Sequence, residues 1–327
     1  MVRHRKLFLP VVFFSVIVVL AGCNRGPSVS GAFDRNYVVT GPIRLELTNP
    51  SGDVDITGSA DGKVHVRGEV RASGFGFDNP QKRLDDTLAN PPIEQRGDTI
   101  RIGKDMSRMR HISIAYTIQV PHDTEISASV ASGAQTIRNL TGPVTVRAAS
   151  GSIRLEKIER DAELTTASGT ISASNVGNDL RVSTASGNVN VSNIKGDVRA
   201  NAFSGVIRIA NPGARVDASN TSGEVEIQGA SNDVKAHAVS GLVSVQGNPS
   251  AGSYWDLKTV SGGVQLRVPT TANFHFSAEA ASGEIRTDVP IVIEEQGKHS
   301  LRAHMGSGGG RVEVHTVSGE IRVSGTK

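Results

Sequence analysis

Four aspartates recur at one position of a repeated pattern and could together hold a metal ion. Asp161, Asp179 and Asp197 are 18 residues apart, and Asp233 follows at twice that spacing. Stacked carboxylates repel one another unless a cation offsets their charge, and calcium prefers such oxygen ligands. The G-G-x-G-x-D loops that calcium sites of this spacing need are absent. The favoured interpretation is therefore that each Asp accepts hydrogen bonds from local backbone N–H groups at a corner.

The other reactive side chains do not form a recognisable site. His299, His304 and His315 are the histidines closest in sequence, but no H-x-H or H-E-x-x-H spacing pairs them as metal ligands. No G-x-S-x-G surrounds any Ser, and the loop 306–310 precedes a strand rather than a phosphate-binding helix. The sequence therefore predicts no catalytic, cofactor-binding or metal site.

The single cysteine, Cys23, has a different chemistry. It follows a basic start and a 15-residue apolar run, Leu7 to Ala21, which is short for a membrane-spanning helix and typical of a signal peptide. Leu20-Ala21-Gly22-Cys23 resembles the lipobox of bacterial lipoproteins. That resemblance implies cleavage before Cys23 and attachment of diacylglycerol to its thiol, a stable membrane anchor once further acylated. Ordinary secretion with an incidental Cys is the alternative.

Export changes the expected charge and location. The formal charge of +3 loses Arg3, Arg5 and Lys6 with the signal peptide, so the mature chain is formally neutral. Composition therefore gives no support for nucleic-acid binding. Asn24, rather than Asp, follows the Cys, and by resemblance to proteobacterial sorting this favours the outer membrane of the cell envelope.

A strict repeat must position all of these residues. The dipeptide Ser-Gly recurs every 18 residues and then, with longer steps, to the end of the chain. Its serines are Ser132, Ser150, Ser168, Ser186, Ser204, Ser222, Ser240, Ser261, Ser282 and Ser318. A fixed period of this kind is the signature of a repeat architecture.

Each repeat contains two strands and two corners. Two short runs alternate with period 2 and place β-branched residues on one side, which indicates strands. The Gly of each Ser-Gly and a second position indicate backbone with positive φ. That second position is occupied by Asn139, Lys157, Asn175, Asn193, Asn211, Gly229 and Gly247. The pattern predicts an all-β fold, a parallel β-solenoid (β-helix) with 18-residue coils and two strands per coil.

The domain boundaries follow from where the repeat stops. Residues 1–23 are predicted as signal peptide and lipobox, 24–36 as a flexible tether, and 37–130 as an N-terminal coil and cap. Asn79-Pro80, with Leu84 and Leu88, predicts one short helix in that cap. Residues 131–327 are predicted as the solenoid repeats, with an inserted hairpin at about 290–310.

The Ser-Gly-x-Ile-x-Val coils, the lipobox and the closing segment His315 to Val323 together resemble a bacterial β-strand-repeat family called putative adhesins. The resemblance covers roughly residues 37–327. It implies the solenoid fold and an envelope location, and because the family is a domain of unknown function without a catalytic motif, it implies no specific activity.

Three functions remain to be compared. The favoured one is a non-catalytic envelope lipoprotein, an adhesin or binding scaffold that presents a solenoid face to a protein or glycan partner. The alternatives are a polysaccharide-acting β-helix enzyme and a self-associating structural element. An outward column changes chemistry at every coil, without the acid pair that an enzyme would need; it begins Thr136, Arg154, Ser172, Asn190, Arg208 and Glu226. A monomer is expected, because the cap and the hairpin would block end-to-end pairing.

Overall fold

A computed structural model describes residues 28–39, 41–74, 79–103 and 110–326. Within these ranges the chain forms 27 strands and one helix, α1 (Pro80–Ala89). The N-terminal strands are β1 (Ser28–Val38), β2 (Arg44–Ser51), β3 (Val54–Ser59), β4 (Lys63–Ser73), β5 (Ile93–Arg96), β6 (Thr99–Ile102) and β7 (Ile112–Pro121).

The regular coils follow. Their strands are β8 (Glu125–Ser132), β9 (Gln135–Leu140), β10 (Val144–Ser150), β11 (Ile153–Ile158), β12 (Ala162–Ser168), β13 (Ile171–Val176), β14 (Leu180–Ser186), β15 (Val189–Ile194), β16 (Val198–Pro212), β17 (Val216–Ala230), β18 (Val234–Ser240), β19 (Val243–Gly247), β20 (Tyr254–Ser261), β21 (Val264–Pro269), β22 (Phe274–Ser282) and β23 (Ile285–Thr287). The last strands are β24 (Val292–Gln296), β25 (Ser300–Met305), β26 (Gly310–Ser318) and β27 (Ile321–Thr326).

Each coil contributes one strand to each of two stacked ladders, which we call sheet 1 and sheet 2. From neighbour to neighbour, sheet 1 contains β5, β6, β2, β8, β10, β12, β14, β16, β17, β18, β20, β26, β22, β25 and β24. Sheet 2 contains β1, β4, β7, β3, β9, β11, β13, β15, β16, β17, β19, β21, β27 and β23. The long strands β16 and β17 belong to both sheets. The predicted all-β parallel solenoid is confirmed.

The register between coils is the sequence period itself. Val144 pairs with Ala162, and Ala162 pairs with Leu180, so equivalent residues stack directly in parallel strands. The inward residues of both sheets are buried against one another and form one continuous core. Successive coils lie about 4.8 Å apart and share backbone hydrogen bonds, so no coil has to be stable alone.

The Ser-Gly corner brings the backbones of successive coils into contact. Its glycines have φ between 119° and 158°, a region that favours Gly. A Cβ atom on Gly187 would collide with the carbonyl oxygen of Gly169, and one on Gly169 would collide with that of Gly151. Glycine is therefore required here for two reasons, the torsion angle and the absence of space.

The second corner uses side chains. Asn139, Lys157, Asn175, Asn193 and Asn211 have φ between 51° and 59°, and Gly229 has φ 75°. Asn211 Nδ2 donates to Asn193 Oδ1 at 3.2 Å, and Asn193 Nδ2 donates to Asn175 Oδ1 at 3.3 Å. These asparagines form a ladder along the solenoid axis.

The expectation for Gly247 at this second corner requires a correction. Gly247 pairs with Ala230, and the register shifts between Gln228 and Ala230. Gly229 is thus an extra residue relative to the next coil, and Gly247 does not occupy the equivalent corner. The physical cause is a bulge, which a positional count along the sequence does not detect.

The N-terminal end differs from the prediction of a tether. Residues 28–36, expected to be flexible, belong to β1, which pairs antiparallel with β4; residues 24–27 lie outside the described ranges. Phe33 of β1 lies over Gly68 and makes an edge contact with Tyr116, with ring centroids 6.4 Å apart. Burial of this aromatic side chain orders a Gly- and Ser-containing segment whose composition had suggested a linker.

The helix α1 covers this end. Asn79 is its N-cap, with Oδ1 accepting from the Lys82 N–H at 3.2 Å, and Pro80 is its first residue. Leu84 is buried, and Leu88 packs against the core beside Gly31 of β1. The helix therefore shields one face of β1 and β4.

The order of coils at the C-terminal end departs from the order in the sequence. The last coil, β26 and β27, lies between β20/β21 and β22/β23. The antiparallel pair β24 and β25, at residues 292–305, adds to the outer edge of β22. Trp255, Phe274 and Phe276 fill the core at this end.

Candidate binding groove

The predicted lipid-anchor residue, Cys23, lies outside the described residues, as does the rest of the signal sequence. Its role as an anchor therefore stays a prediction. Among the residues that the structure describes, α1 is the one helix, and no helix has the length and apolar character needed to span a membrane.

The aspartate column connects one coil to the next. Asp161 Oδ1 accepts from the backbone N–H of Asp179 at 3.2 Å, and Asp179 Oδ1 accepts from that of Asp197 at 2.9 Å. Asp197 bonds the N–H of Arg215 at 3.2 Å, and its second oxygen lies 2.7 Å from the Arg215 guanidinium.

Asp233 follows the same pattern two coils after Asp197. Its Oδ1 accepts from the backbone N–H of Tyr254 at 2.9 Å. The expectation of hydrogen bonds to local backbone was wrong in one respect, because the donors belong to the adjacent coil. In the described part of the chain, no three His, Cys, Asp or Glu side chains are grouped so that they could hold a metal ion.

A long groove runs along the corner where sheet 1 enters the Ser-Gly turn, and we call it the corner groove. Its volume is about 970 Å³. Its floor is formed by small, buried residues, namely Ala202, Asn220, Ala238, Thr259, Thr316 and Ala280. One wall is apolar, and the opposite wall is polar.

The apolar wall consists of exposed side chains at one repeat position, with Thr221 between Phe203 and Val239. Phe203 is 65% exposed, Val239 52%, Val260 51% and Val317 53%. Exposed apolar side chains of soluble proteins are usually scattered singly, so a row in which Val239, Val260 and Val317 follow one another indicates a contact surface. The row occupies the C-terminal half of the solenoid.

This row belongs to a longer column that the sequence interpretation missed. The residue immediately before each Ser-Gly is exposed in ten coils, and it is apolar in all of them except at Thr221. The column contains Ala131, Ala149, Ala167, Ala185, Phe203, Thr221, Val239, Val260, Val317 and Ala281. An apolar residue recurring at a position that alternation places outside was a signal available in the sequence.

The polar wall is formed by the outward residues two positions earlier in each coil. Asp256 is only 9% exposed and lies behind this wall. Its carboxylate is 3.1 Å from His237 Nε2 and 2.9 Å from Lys258 Nζ. Burial raises the pKa of Asp256, but the hydrogen bonds from Lys258 and His237 outweigh that effect and the net pKa is lowered. Such a carboxylate stays ionised near neutral pH.

Further contacts hold three other side chains of the groove. His315 Nδ1 lies 3.5 Å from Glu279 Oε2. Thr316 Oγ1 donates to the carbonyl of Gly262 at 3.1 Å, and Thr259 Oγ1 donates to that of Gly241 at 3.4 Å. These contacts fix polar side chains beside the exposed apolar row, and the groove is a candidate contact surface.

A second groove, of about 800 Å³, follows the asparagine corner. The residues that line it include the asparagines of the ladder together with Lys157, Lys195 and Glu159. It lacks an exposed apolar row, and its amides bond one another. The corner groove is therefore the stronger candidate for binding.

The family assignment follows from two overlapping matches. The Toastrack DUF4097 family profile matches residues 44–228 and residues 178–324, which together cover most of the chain. The chain belongs to the Toastrack DUF4097 family. The resemblance to an adhesin-like domain of unknown function is thereby confirmed, and membership accounts for the solenoid fold without assigning a partner.

Two solved structures are also similar. One is a putative adhesin from Bacteroides fragilis NCTC 9343, with 15% identity, coverage of 90% of this chain and 97% of that chain, and a TM-score of 0.33. The other is a putative cell adhesion protein from Clostridium sporogenes ATCC 15579, with 9% identity, coverage of 90% and 100%, and a TM-score of 0.23. Likeness at this level does not carry a function. No curated protein matches the chain.

Proposed function

We propose that this chain is a non-catalytic binding scaffold of the bacterial cell envelope, an adhesin-like lipoprotein that holds a protein partner in the corner groove. The apolar wall of Phe203, Val239, Val260 and Val317 is the observation that carries the proposal. Buried apolar contact is the main source of affinity in protein association.

The charges of the groove favour a protein over a glycan. Lys258, His237 and Asp256 interact with one another, as do His315 and Glu279. A polyanionic glycan would meet no unpaired row of cations in this groove, and a neutral glycan would meet one exposed aromatic ring, Phe203, rather than a stacking platform.

The location rests on Cys23. Acylation of its thiol would tether the solenoid to a membrane, and the Asn24 that follows is consistent with outer-membrane sorting. Replacement of Cys23 by Ser in the full chain is expected to move the protein from the membrane fraction to the soluble fraction. Retention of a processed Cys23→Ser protein in the membrane would contradict the anchor.

Binding is tested by a crosslinking pull-down from intact envelopes, comparing wild type with Val260→Asp. The introduced carboxylate would have to be desolvated against an apolar partner, so capture is expected to fall at least about tenfold. Ala149→Asp is the matched control, because Ala149 occupies the same exposed repeat position outside the groove. Equal loss in both variants, or in neither, would overturn the assignment of the groove.

The enzymatic alternative is tested with the same protein. Wild type is expected to release no sugars from cell-wall or exopolysaccharide substrates. Turnover that disappears on Asp256→Asn would replace the scaffold by a polysaccharide-acting enzyme.

A further inference from the structure

The first strand after the predicted anchor is an open edge. β1 is the terminal strand of sheet 2, and its 11 residues pair with β4. Among the described residues, no other strand pairs with β1. A long unpaired edge is a template for strand addition unless it is blocked.

The hydrogen bonds of β4 determine which backbone N–H and C=O groups of β1 point away from the sheet. Ser73 N donates to His111 O at 3.0 Å, so the odd-numbered residues of β4 bond β7. The even-numbered residues of β4 therefore bond β1, since bonding alternates between the two sides of a strand. In the register that pairs Phe33 with Gly68, these bonds use the odd-numbered residues of β1.

The even-numbered residues of β1 therefore point their N–H and C=O groups outward. They are Ser28, Ser30, Ala32, Asp34, Asn36 and Val38. The carbonyls of Asp34 and Val38 accept side-chain hydrogen bonds, from Arg35 at 2.9 Å and from Gln95 at 3.3 Å. Both contacts occupy the second half of the strand.

Within the part of the chain that the structure describes, the first half, Ser28 to Ala32, receives no such side-chain hydrogen bond. Its sequence, Ser-Val-Ser-Gly-Ala, contains no charge and no Pro, the two devices that natural edge strands use against pairing. Val29 and Tyr37, which face the core side of β1, are only partly buried although they pack against the core. A further strand beside Ser28 to Ala32 would add to the burial of Val29.

The position of the anchor brings copies of this edge together. Ser28 is five positions after Cys23, so their Cα atoms are at most about 18 Å apart whatever the path between them. If Cys23 is acylated, as the proposed function holds, β1 of every copy lies at the same height above one membrane surface. Confinement of this kind raises the effective concentration of one copy for another.

We propose that β1 pairs antiparallel with β1 of a second copy, around Ser28 to Ala32, and joins sheet 2 of two solenoids about a two-fold axis. Two identical strands related by such an axis are self-complementary. The proposal replaces the expectation of a monomer, because the N-terminal cap covers one face of β1 and leaves its edge open.

The test uses the full chain in envelope membranes and a short crosslinker that reacts with thiols. Ser30→Cys places an exposed thiol on the first half of β1. The control Ser129→Cys places an exposed thiol on β8, whose two edges both pair with neighbouring strands. Cross-strand Cβ atoms lie about 5 Å apart, so Ser30→Cys is expected to give a dimer band at least about tenfold stronger. Equal bands, no band, or a crosslink to a different protein would overturn the proposal.

A second variant removes one outward donor. Ala32→Pro deletes an N–H that β4 does not use, and edge strands tolerate Pro. Combined with Ser30→Cys, it is expected to abolish the dimer band while the circular dichroism melt stays close to that of the parent; a persistent band would count against pairing through β1. Wild type reports on the anchor separately, since a free Cys23 thiol or loss from the membrane refutes acylation whatever the result at Ser30.

Discussion

The two corners of each coil need the same kind of backbone, but they achieve it differently. At the Ser-Gly corner, the positive φ is accompanied by direct backbone contact between coils, so that a Cβ on Gly187 has no room. At the second corner, Asn193 has φ 55° and its side chain donates a hydrogen bond to Asn175 of the preceding coil. At the Ser-Gly corner, both the torsion angle and the lack of space restrict which residue can be accommodated. At the second corner, only the torsion angle restricts it.

This difference explains why one column is invariant and the other varies. The first corner is Gly in every coil, whereas the second is occupied by Asn, Lys or Gly. An exposed side chain at the second corner projects into solvent and can be exchanged. The following four predictions test the contrast, from the largest expected effect to the smallest.

Gly187→Ala is expected to destabilise the solenoid most. It adds a strained torsion to a collision with the backbone of Gly169, and the two together cost about 4 kcal/mol of the free energy of unfolding. Denaturant unfolding followed by circular dichroism measures the change. The matched control is Gly229→Ala, where the nearest atom is the end of the Asn211 side chain; a loss as large there would refute the distinction between the corners.

Asn193→Ala is expected to cost about 2 kcal/mol. Ala at positive φ contributes about half of this loss, and two ladder hydrogen bonds contribute the rest. Asn193→Gly relieves the torsion and leaves only the loss of the ladder, so it should be milder than Asn193→Ala in the same unfolding experiment. If the Gly variant is the less stable one, the ladder rather than the torsion dominates this corner.

Asp179→Ala tests the third connection between coils. It leaves the N–H of Asp197 without its carboxylate acceptor, and because that site is partly exposed, the expected loss is about 1 kcal/mol. Asp179→Asn retains an oxygen that can accept the same bond and should stay close to wild type. If Asp179→Ala and Asp179→Asn have the same unfolding midpoint, the hydrogen bond to the Asp197 N–H does not account for the aspartate at this position.

Lys157→Asn is expected to stabilise the protein slightly. Lys157 has φ 55° and stands between Asn139 and Asn175 in the column, so Asn would fit the torsion better and could extend the ladder. The expected gain is about 1 kcal/mol, seen as a higher melting temperature. A decrease would mean that the second corner is not limited by torsion at this coil.

The corner groove could be predicted from the sequence only in part. The exposed apolar residue before each Ser-Gly is visible in the sequence, because alternation puts it outside. The pairing of His237 and Lys258 with Asp256 could not be predicted, because it depends on stacking across a 21-residue step and on how deeply Asp256 is buried. The position of His315 beside Glu279 depends on the order of the coils in space.

By itself, the sequence determined the solenoid, its two strands per coil and its two corners. These features are local and repeat at a fixed period, so that one coil predicts the next. Only the tertiary structure decided that the last coil inserts between the coils β20/β21 and β22/β23, and that residues 28–36 form an edge strand instead of a tether. Both are choices between strand pairings that are equally compatible with the alternating pattern, and long-range backbone hydrogen bonds and the burial of Phe33 and Trp255 select one of them.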